Sequence, residues 1–391
     1  MRVGLVFSAE MEAHAGPPNH PECPARHERV VARFKESGLM ARCVHIAPRP
    51  ATDEELLRAH SQAHLEHLAS LWVADGPAVQ TAGDLYWCES THAAARLSAG
   101  CAVEATLSVV RGQLSSAFAV IRPPGHHAEC ERAMGFCYLN NASVACLAAL
   151  QEPNVDRVLI LDWDVHHGNG IESIHYDDPR VLYISLHRYS TDPGSWFYPG
   201  TGAKDDVGAG AGTGFNVNIP WHERGGGDAD YLAAFELLVC PIVTAFAPSL
   251  ILISAGYDAA QGDPLGAMNL SPDGYRAMTD RLVCLQAQGK VVVLLEGGYN
   301  LYSTAHSAEA TLRALLREEA PAGGGGRAQP RPSTADVLRA VLAVQRRHWG
   351  EALLGSDPDA FFAALHVAAL RVAESPRKTP PRLAKAAAQG A

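Results

Sequence analysis

The chain has 391 residues, 47% of them hydrophobic, which is enough to bury the core of one large domain. A net charge of −10 argues against direct nucleic-acid binding and is compatible with a basic peptide as substrate. Nine dispersed cysteines, never spaced as CxxC, argue against a disulfide framework or a cysteine zinc finger and read as reduced thiols of an intracellular protein.

The first seven residues predict a short strand leading into an acidic, His- and Pro-rich loop. They lack the charged, apolar and small-residue order of a signal peptide, so residence in the cytoplasm or nucleus is expected, not secretion. Apolar residues at three-to-four spacing predict helices over roughly 53–74, 90–112, 138–150, 228–246 and 272–288. No uninterrupted apolar run approaches the roughly 18 residues a bilayer span needs, so no membrane association is expected. Between the helices lie four apolar runs, 118–121, 157–161, 250–255 and 291–295, rich in Val, Ile and Leu. Such near-continuous runs predict strands covered on both faces, and their alternation with helices predicts a single α/β domain with a central parallel sheet. The long connections at 113–140 and 187–214 are expected to be functional. The Gly- and Pro-rich stretch near 321–332 reads as a flexible linker. It precedes a helix at 334–349, whose Val337, Leu338, Val341, Leu342 and Val344 would pack back and close a domain spanning 1–350. Residues 351–391 form an extension, with a solvated tail from 375.

Each of the four strands runs into chemistry-bearing residues. In open parallel sheets ligands bind outside the carboxyl ends of the strands, so the four segments predict one site. After 157–161 come Asp162, Asp164 and His166, which an extended chain would place on one side by its period of two. A catalytic zinc takes about three protein ligands and keeps a position open, and Asp164, His166 and Asp258 fill that role best. Reading Asp258 instead as a helix N-cap leaves the other two unpaired. His126 and His127 follow a rigid Pro-Pro-Gly turn, with Asp162 available to orient His126 and Asn169 to orient His127. An anionic partner stabilises imidazolium far more than a neutral amide does. The two rings should therefore titrate differently, with His127 the base. Tyr299, on the Glu296-Gly-Gly turn, offers a phenol to a polarised carbonyl oxygen, or else is simply a core tyrosine.

The segments Arg122-Pro-Pro-Gly-His-His-Ala128, Gly135-Phe136-Cys137, Leu161-Asp-Trp-Asp-Val-His-His-Gly-Asn-Gly170 and Ser185-Leu-His-Arg188 together resemble the zinc-dependent histone deacetylases of the arginase/deacetylase superfamily, closest to their class II branch. So do Tyr198-Pro-Gly-Thr-Gly202, Ser254-Ala-Gly-Tyr-Asp258, Gly262-Asp-Pro-Leu-Gly266 and Glu296-Gly-Gly-Tyr-Asn300. The likeness extends over residues 1 to about 350, including His20-Pro-Glu-Cys-Pro-Ala-Arg26 and 337–349. It implies an arginase/deacetylase fold and removal of acetyl groups from protein lysines by metal-activated water. The zinc ligands would be Asp164, His166 and Asp258, the tandem histidines His126 and His127, and the transition-state tyrosine Tyr299. Gly135, Phe136 and Tyr198 would line the tunnel for the lysine stem, Tyr198 standing where the family usually has Phe. Asp84 resembles the rim acid that accepts substrate N–H groups. A structural potassium ion would draw on Asp162, Asp164, His166, Ser185 and Leu186. The expected partners are acetylated lysines of histone tails or cytosolic proteins, with corepressor-type complexes also open.

Leu265 stands where polyamine deacetylases of this branch carry a glutamate, so protein acetyl-lysine is favoured over acetylpolyamines or other small acylated amines. A catalytically silent acyl-lysine binding module is the non-enzyme alternative. A dimanganese amidino hydrolase of the related arginase fold would need a second ligand set, which the sequence does not offer.

Overall fold

The computed structural model describes residues 2–71, 78–285, 290–319, 329–351 and 358–363. The linker residues 321–328, the tail from 375 and the last residues of the helices expected over 53–74 and 272–288 lie outside the described residues. The strands are β1 (Val3–Val6), β2 (Val44–His45), β3 (Gln80–Ala82), β4 (Leu85–Trp87), β5 (Ser116–Ala119), β6 (Val158–Asp162), β7 (Val181–Arg188), β8 (Asn216–Trp221), β9 (Leu250–Ala255) and β10 (Val291–Leu295). Eight of them form one sheet in the order β2-β1-β5-β10-β9-β6-β7-β8, and every pairing is parallel. The short β3 and β4 pair antiparallel apart from it.

Four of the strands read from the sequence, β5, β10, β9 and β6, are consecutive neighbours in the centre of this sheet, and the strand expected at the start of the chain is β1 beside β5. All their residues are buried, which is why their sequences run apolar without alternation. Leu295 pairs with Ala255 and Asp162 with Ser254, so the carboxyl ends of β10, β9 and β6 finish level and deliver their loops to one edge. Helices cover the sheet in two groups. Thr91–Val110 packs beside Asn141–Ala149, and Leu301–Leu315 packs between Pro24–Glu36 and Pro272–Leu285.

The helix expected over 53–74 is two helices, Asp53–Leu56 and Gln62–Ser70, because Ser61 caps the second by accepting the His64 N–H. Thr91–Val110 and the continuous helical stretch Asp228–Phe246 are long and apolar enough, by length and composition, to cross a bilayer, although no unbroken apolar run is that long. Most of each apolar window, 78% and 61%, is buried inside the fold. The helix expected at 334–349 spans Pro332–Trp349 and packs on the β8 edge of the sheet. There Thr334 Oγ1 donates to Asp230 Oδ1 at 2.6 Å and Trp349 Nε1 donates to the Gly214 carbonyl at 3.2 Å.

Candidate metal centre and active site

β6 stops at Asp162, and aspartates shape the chain beyond it. Asp162 Oδ1 accepts the Asp164 N–H at 3.0 Å, and Asp164 Oδ1 accepts the His166 N–H at 2.9 Å. Such i to i+2 bonds offer the backbone a turn in place of a ladder. The expectation that the strand stays extended through His166 is thereby corrected. Two successive aspartate turns, not the period of two, set the positions of Asp164 and His166.

Asp258 arrives from the loop after β9, with its Oδ1 accepting the Val165 N–H at 2.7 Å. His166 Nδ1 lies 3.1 Å from Asp164 Oδ1 and 3.0 Å from Asp258 Oδ2. The ligand atoms of all three fall within 4.8 Å of one another, and all three residues are buried. Burial lowers the His166 pKa, but the two carboxylates outweigh it and hold the ring up at about 9. Burial together with the Asp164 charge pushes the Asp258 carboxyl up to about 7. Two buried acids sharing one imidazole are thus short of positive charge, and a divalent cation would supply it. The surrounding backbone is glycine where any side chain would crowd the carboxylates. A Cβ at Gly256 would overlap Asp164 Oδ2, and a Cβ at Gly297 would lie 2.5 Å from both Asp164 Oδ2 and Asp258 Oδ2. An imidazole with two carboxylates is a fitting donor set for a borderline cation.

β5 leads through the Pro-Pro-Gly turn to the two histidines. His126 Nδ1 lies 3.1 Å from Asp162 Oδ2, while His127 Nδ1 lies 2.8 Å from Asn169 Oδ1. Burial lowers both rings. At His126 the charges of Asp164 and Asp162 overcome it and raise the pKa to about 10, whereas at His127 the neighbouring imidazoles of His126 and His166 add to burial and drive the pKa far down. Since Asn169 Oδ1 can only accept, His127 carries its proton on Nδ1 and presents a bare Nε2. Asn169 is itself held, donating from Nδ2 to Glu129 Oε1 at 2.7 Å.

Tyr299 follows β10. Burial raises its phenol well above 10 despite the cation of Arg26, so it remains a proton donor. The Arg26 guanidinium carbon lies 5.0 Å from the Tyr299 ring centre, and its Nε and Nη2 donate to the carbonyls of Gly298 at 2.6 Å and Glu296 at 2.5 Å. Around the histidines stand aromatic walls. Tyr198 meets His127 edge-on at 5.1 Å, Phe197 stacks on His166 at 5.1 Å, and Phe136 meets Tyr299 edge-on at 6.0 Å. Gly135 presses on His127 so closely that an added Cβ would overlap the ring. Leu265, 37% exposed, carries the apolar character of its loop to the surface.

Asp84 is partly buried. One of its oxygens, Oδ2, accepts the Gly135 N–H at 2.9 Å, so the carboxylate braces the segment that carries Gly135 and Phe136 from within the protein. Ser185 pairs with Asp162 across β6 and β7 and is followed by Leu186, all three fully buried. Burial pushes the Asp162 carboxyl up even beside His126.

Several residues of the site carry no role in the sequence reading. Glu22 is fully buried between two arginines, its Oε1 taking N–H from Arg26 at 3.0 Å and Arg122 at 3.0 Å, its Oε2 from Arg122 at 2.7 Å. Glu296 Oε2 accepts the backbone N–H groups of Gly125 and His126, fixing the histidine turn. Asp263 accepts four backbone N–H groups from two loops. The available signal was a charged residue inside a Pro- or Gly-rich segment, as in His20-Pro-Glu-Cys-Pro-Ala-Arg26 and Gly262-Asp-Pro-Leu-Gly266.

The sheet and its carboxyl-edge groups define an α/β protein with a carboxylate and imidazole centre served by a histidine pair and a tyrosine. A family model described as the histone deacetylase domain matches residues 20–315. The chain belongs to that family. It is 42% identical over 355 residues to histone deacetylase 15 of Arabidopsis thaliana, covering 88% of this chain and 61% of that protein. With histone deacetylase 7 of Homo sapiens it shares 38% over 396 residues, covering 92% of this chain and 41% of that one. The chain therefore spans only about half the length of these relatives. The crystal structure of the HDA15 HD domain superposes with a TM-score of 0.83 at 39% identity, covering 93% of this chain and 99% of that one, and the fold is the arginase/deacetylase fold.

Proposed function

We propose that this chain is a zinc-dependent deacetylase of class II type that removes acetyl groups from lysine side chains of proteins. The observation that carries the reading is the meeting, at the end of four adjacent strands, of the Asp164, His166 and Asp258 cluster with His126, His127 and Tyr299. Zinc held by Asp164, His166 and Asp258 would polarise the acetyl carbonyl and lower the pKa of water. His127 Nε2, left unprotonated by burial and by the neighbouring imidazoles, takes a proton from the water that adds to the carbonyl carbon. The Tyr299 hydroxyl donates to the carbonyl oxygen as negative charge gathers on it. His126, its Nδ1 backed by Asp162 at 3.1 Å, would stabilise the same charge without giving up its proton. When the C–N bond breaks, the proton gained by His127 passes to the leaving lysine nitrogen, and the second water proton leaves with acetic acid, which then ionises to acetate.

The Gly135 backbone with Phe136 and Tyr198 would wall the lysine stem, the Tyr198 hydroxyl adding a polar edge where the family usually has Phe. A potassium ion drawing on Asp162, Asp164, His166, Ser185 and Leu186 would offset the buried Asp162 charge. Leu265 favours a peptide over a polyamine because it offers a cationic amine no counter-charge.

The test is turnover of an acetyl-lysine peptide and of an acetylated polyamine by one zinc-loaded preparation, each with a chelator control. Peptide turnover abolished by the chelator is expected. Polyamine turnover alone would overturn the substrate, and no turnover of either would overturn the enzyme reading.

A further inference from the structure

Asp263 stands in the Gly262-Asp-Pro-Leu-Gly266 loop, only 7% exposed, and its two oxygens serve two different loops. Oδ1 accepts the N–H of Leu265 at 2.8 Å and of Gly266 at 3.1 Å, closing its own turn. Oδ2 accepts the N–H of Tyr299 at 2.7 Å and of Asn300 at 3.2 Å, thirty-six and thirty-seven residues away. The junction is reinforced on either side, where Asn300 Nδ2 donates to the Gly262 carbonyl at 2.9 Å and Ser303 Oγ to the Gln261 carbonyl at 2.7 Å. The Tyr299 turn is therefore gripped from two sides, its carbonyls by Arg26 and its N–H groups by Asp263. A side chain whose own rotamer points a phenol at a developing charge needs its backbone fixed to a fraction of an ångström, because oxyanion stabilisation falls steeply with misplacement.

We propose that Asp263 is a positioning residue that locks the loop carrying Leu265 to the turn carrying Tyr299, so that this partly exposed loop and the phenol in the site move as one unit. This rests on the deacetylase reading for its kinetic consequence but not for its structural one. Acylated substrate pressing on Leu265 would then be felt at Tyr299, and a loosened Leu265 loop would leave the phenol misaimed.

An Asp263→Asn substitution keeps one accepting oxygen and turns an NH2 toward the other pair of N–H groups, so one loop loses its anchor. In the zinc-loaded full chain we expect kcat on an acetyl-lysine peptide to fall about 10- to 100-fold with KM changed less than about 3-fold, since an interaction made only in the transition state is what is lost. The same substitution placed on Tyr299→Phe should change kcat by less than about 2-fold, because the two residues act through one group. Amide hydrogen exchange over 296–301 should accelerate in Asp263→Asn while zinc content is unchanged. Equal losses in both backgrounds, or unchanged kcat with unchanged exchange, would overturn the proposal. If Asp263→Asn does not fold, the wild-type protein carries the test. The amides of Leu265, Gly266, Tyr299 and Asn300 should open with a common protection, and free exchange at Tyr299 and Asn300 beside a protected Leu265 would refute the coupling. Absence of wild-type turnover would sink the deacetylase reading alone, leaving the exchange result to decide the coupling.

Discussion

His126 and His127 are neighbours in the chain with ring centroids 4.0 Å apart, yet a carboxylate stands behind the first and an amide behind the second. That difference in partner helps send two identical side chains in opposite directions, His126 up and His127 down from the ordinary imidazole value. A cationic ring and a neutral ring side by side also reinforce each other, since the charge on His126 is one of the causes holding His127 low.

Replacing the amide should therefore narrow that separation. In Asn169→Asp, a carboxylate would sit where Oδ1 now lies 2.8 Å from His127 Nδ1 and favour the imidazolium. Because His127 must be neutral to accept a proton, activity rises with pH through its pKa, and raising that pKa moves the acid limb of the profile upward by about one unit or more. We expect lower kcat/KM at neutral pH, with partial recovery in base. A pH–rate profile indistinguishable from wild type would show that His127 is not the base.

For Tyr299→Phe we expect turnover to fall by about 100-fold or more, the size of effect found on removing one oxyanion donor. Zinc content should be unchanged, since Tyr299 is outside the Asp164, His166 and Asp258 cluster. Parallel steady-state kinetics and metal analysis decide this, and undiminished turnover would remove Tyr299 from the chemistry.

Asp258→Ala tests the metal centre without relying on activity. It leaves His166 Nδ1 with Asp164 alone of its two carboxylate neighbours. We expect the protein as purified to lose its zinc while remaining folded by circular dichroism. Full zinc occupancy would mean the ligand set is wrong.

How much of this was legible depended on whether function and burial left the same mark. β5, β6, β9 and β10 were readable because central parallel strands bury both faces, leaving apolar runs that end abruptly in acids and histidines. β8 was not, since Asn216-Val-Asn-Ile-Pro-Trp221 alternates and contains a proline, which an edge strand tolerates. The helix Pro24–Glu36 leaves little apolar periodicity in the sequence because two of its four buried positions are Arg26 and His27. Asp263 was visible as a residue but not as a bridge. Nothing local to Gly262-Asp-Pro-Leu-Gly266 tells that its carboxylate will meet amides thirty-six residues on.

Glu22 gives a stability prediction. Burial alone would raise its carboxyl, but Arg122 and Arg26 outweigh it and hold the acid well below its ordinary value of 4.5. A depressed folded-state pKa contributes stability that is fully present above 4.5 and is lost as pH falls below it. Glu22→Gln abolishes that charge at every pH and leaves two buried guanidinium groups without their anion, a change that costs about 3–5 kcal/mol. Denaturant unfolding at neutral pH should register the loss, and the variant should have a flatter acid dependence than wild type. Wild-type stability in Glu22→Gln would show that the buried cluster is neutral to folding.

Leu265→Glu tests the substrate class. The new carboxylate would stand on a residue that is 37% exposed, so water screens it, and a partly exposed ion pair is worth about 0.2–1 kcal/mol. That energy corresponds to a modest gain of about 1.4- to 5-fold in kcat/KM for an acetylated polyamine relative to an acetyl-lysine peptide. The gain should shrink as salt rises, because screening weakens a surface pair more than a buried one. The measurement is the ratio of the two kcat/KM values at low and high ionic strength. A ratio unmoved by the substitution would mean that the side chain at this position does not meet the substrate amine, and the argument for a peptide substrate from Leu265 would fall.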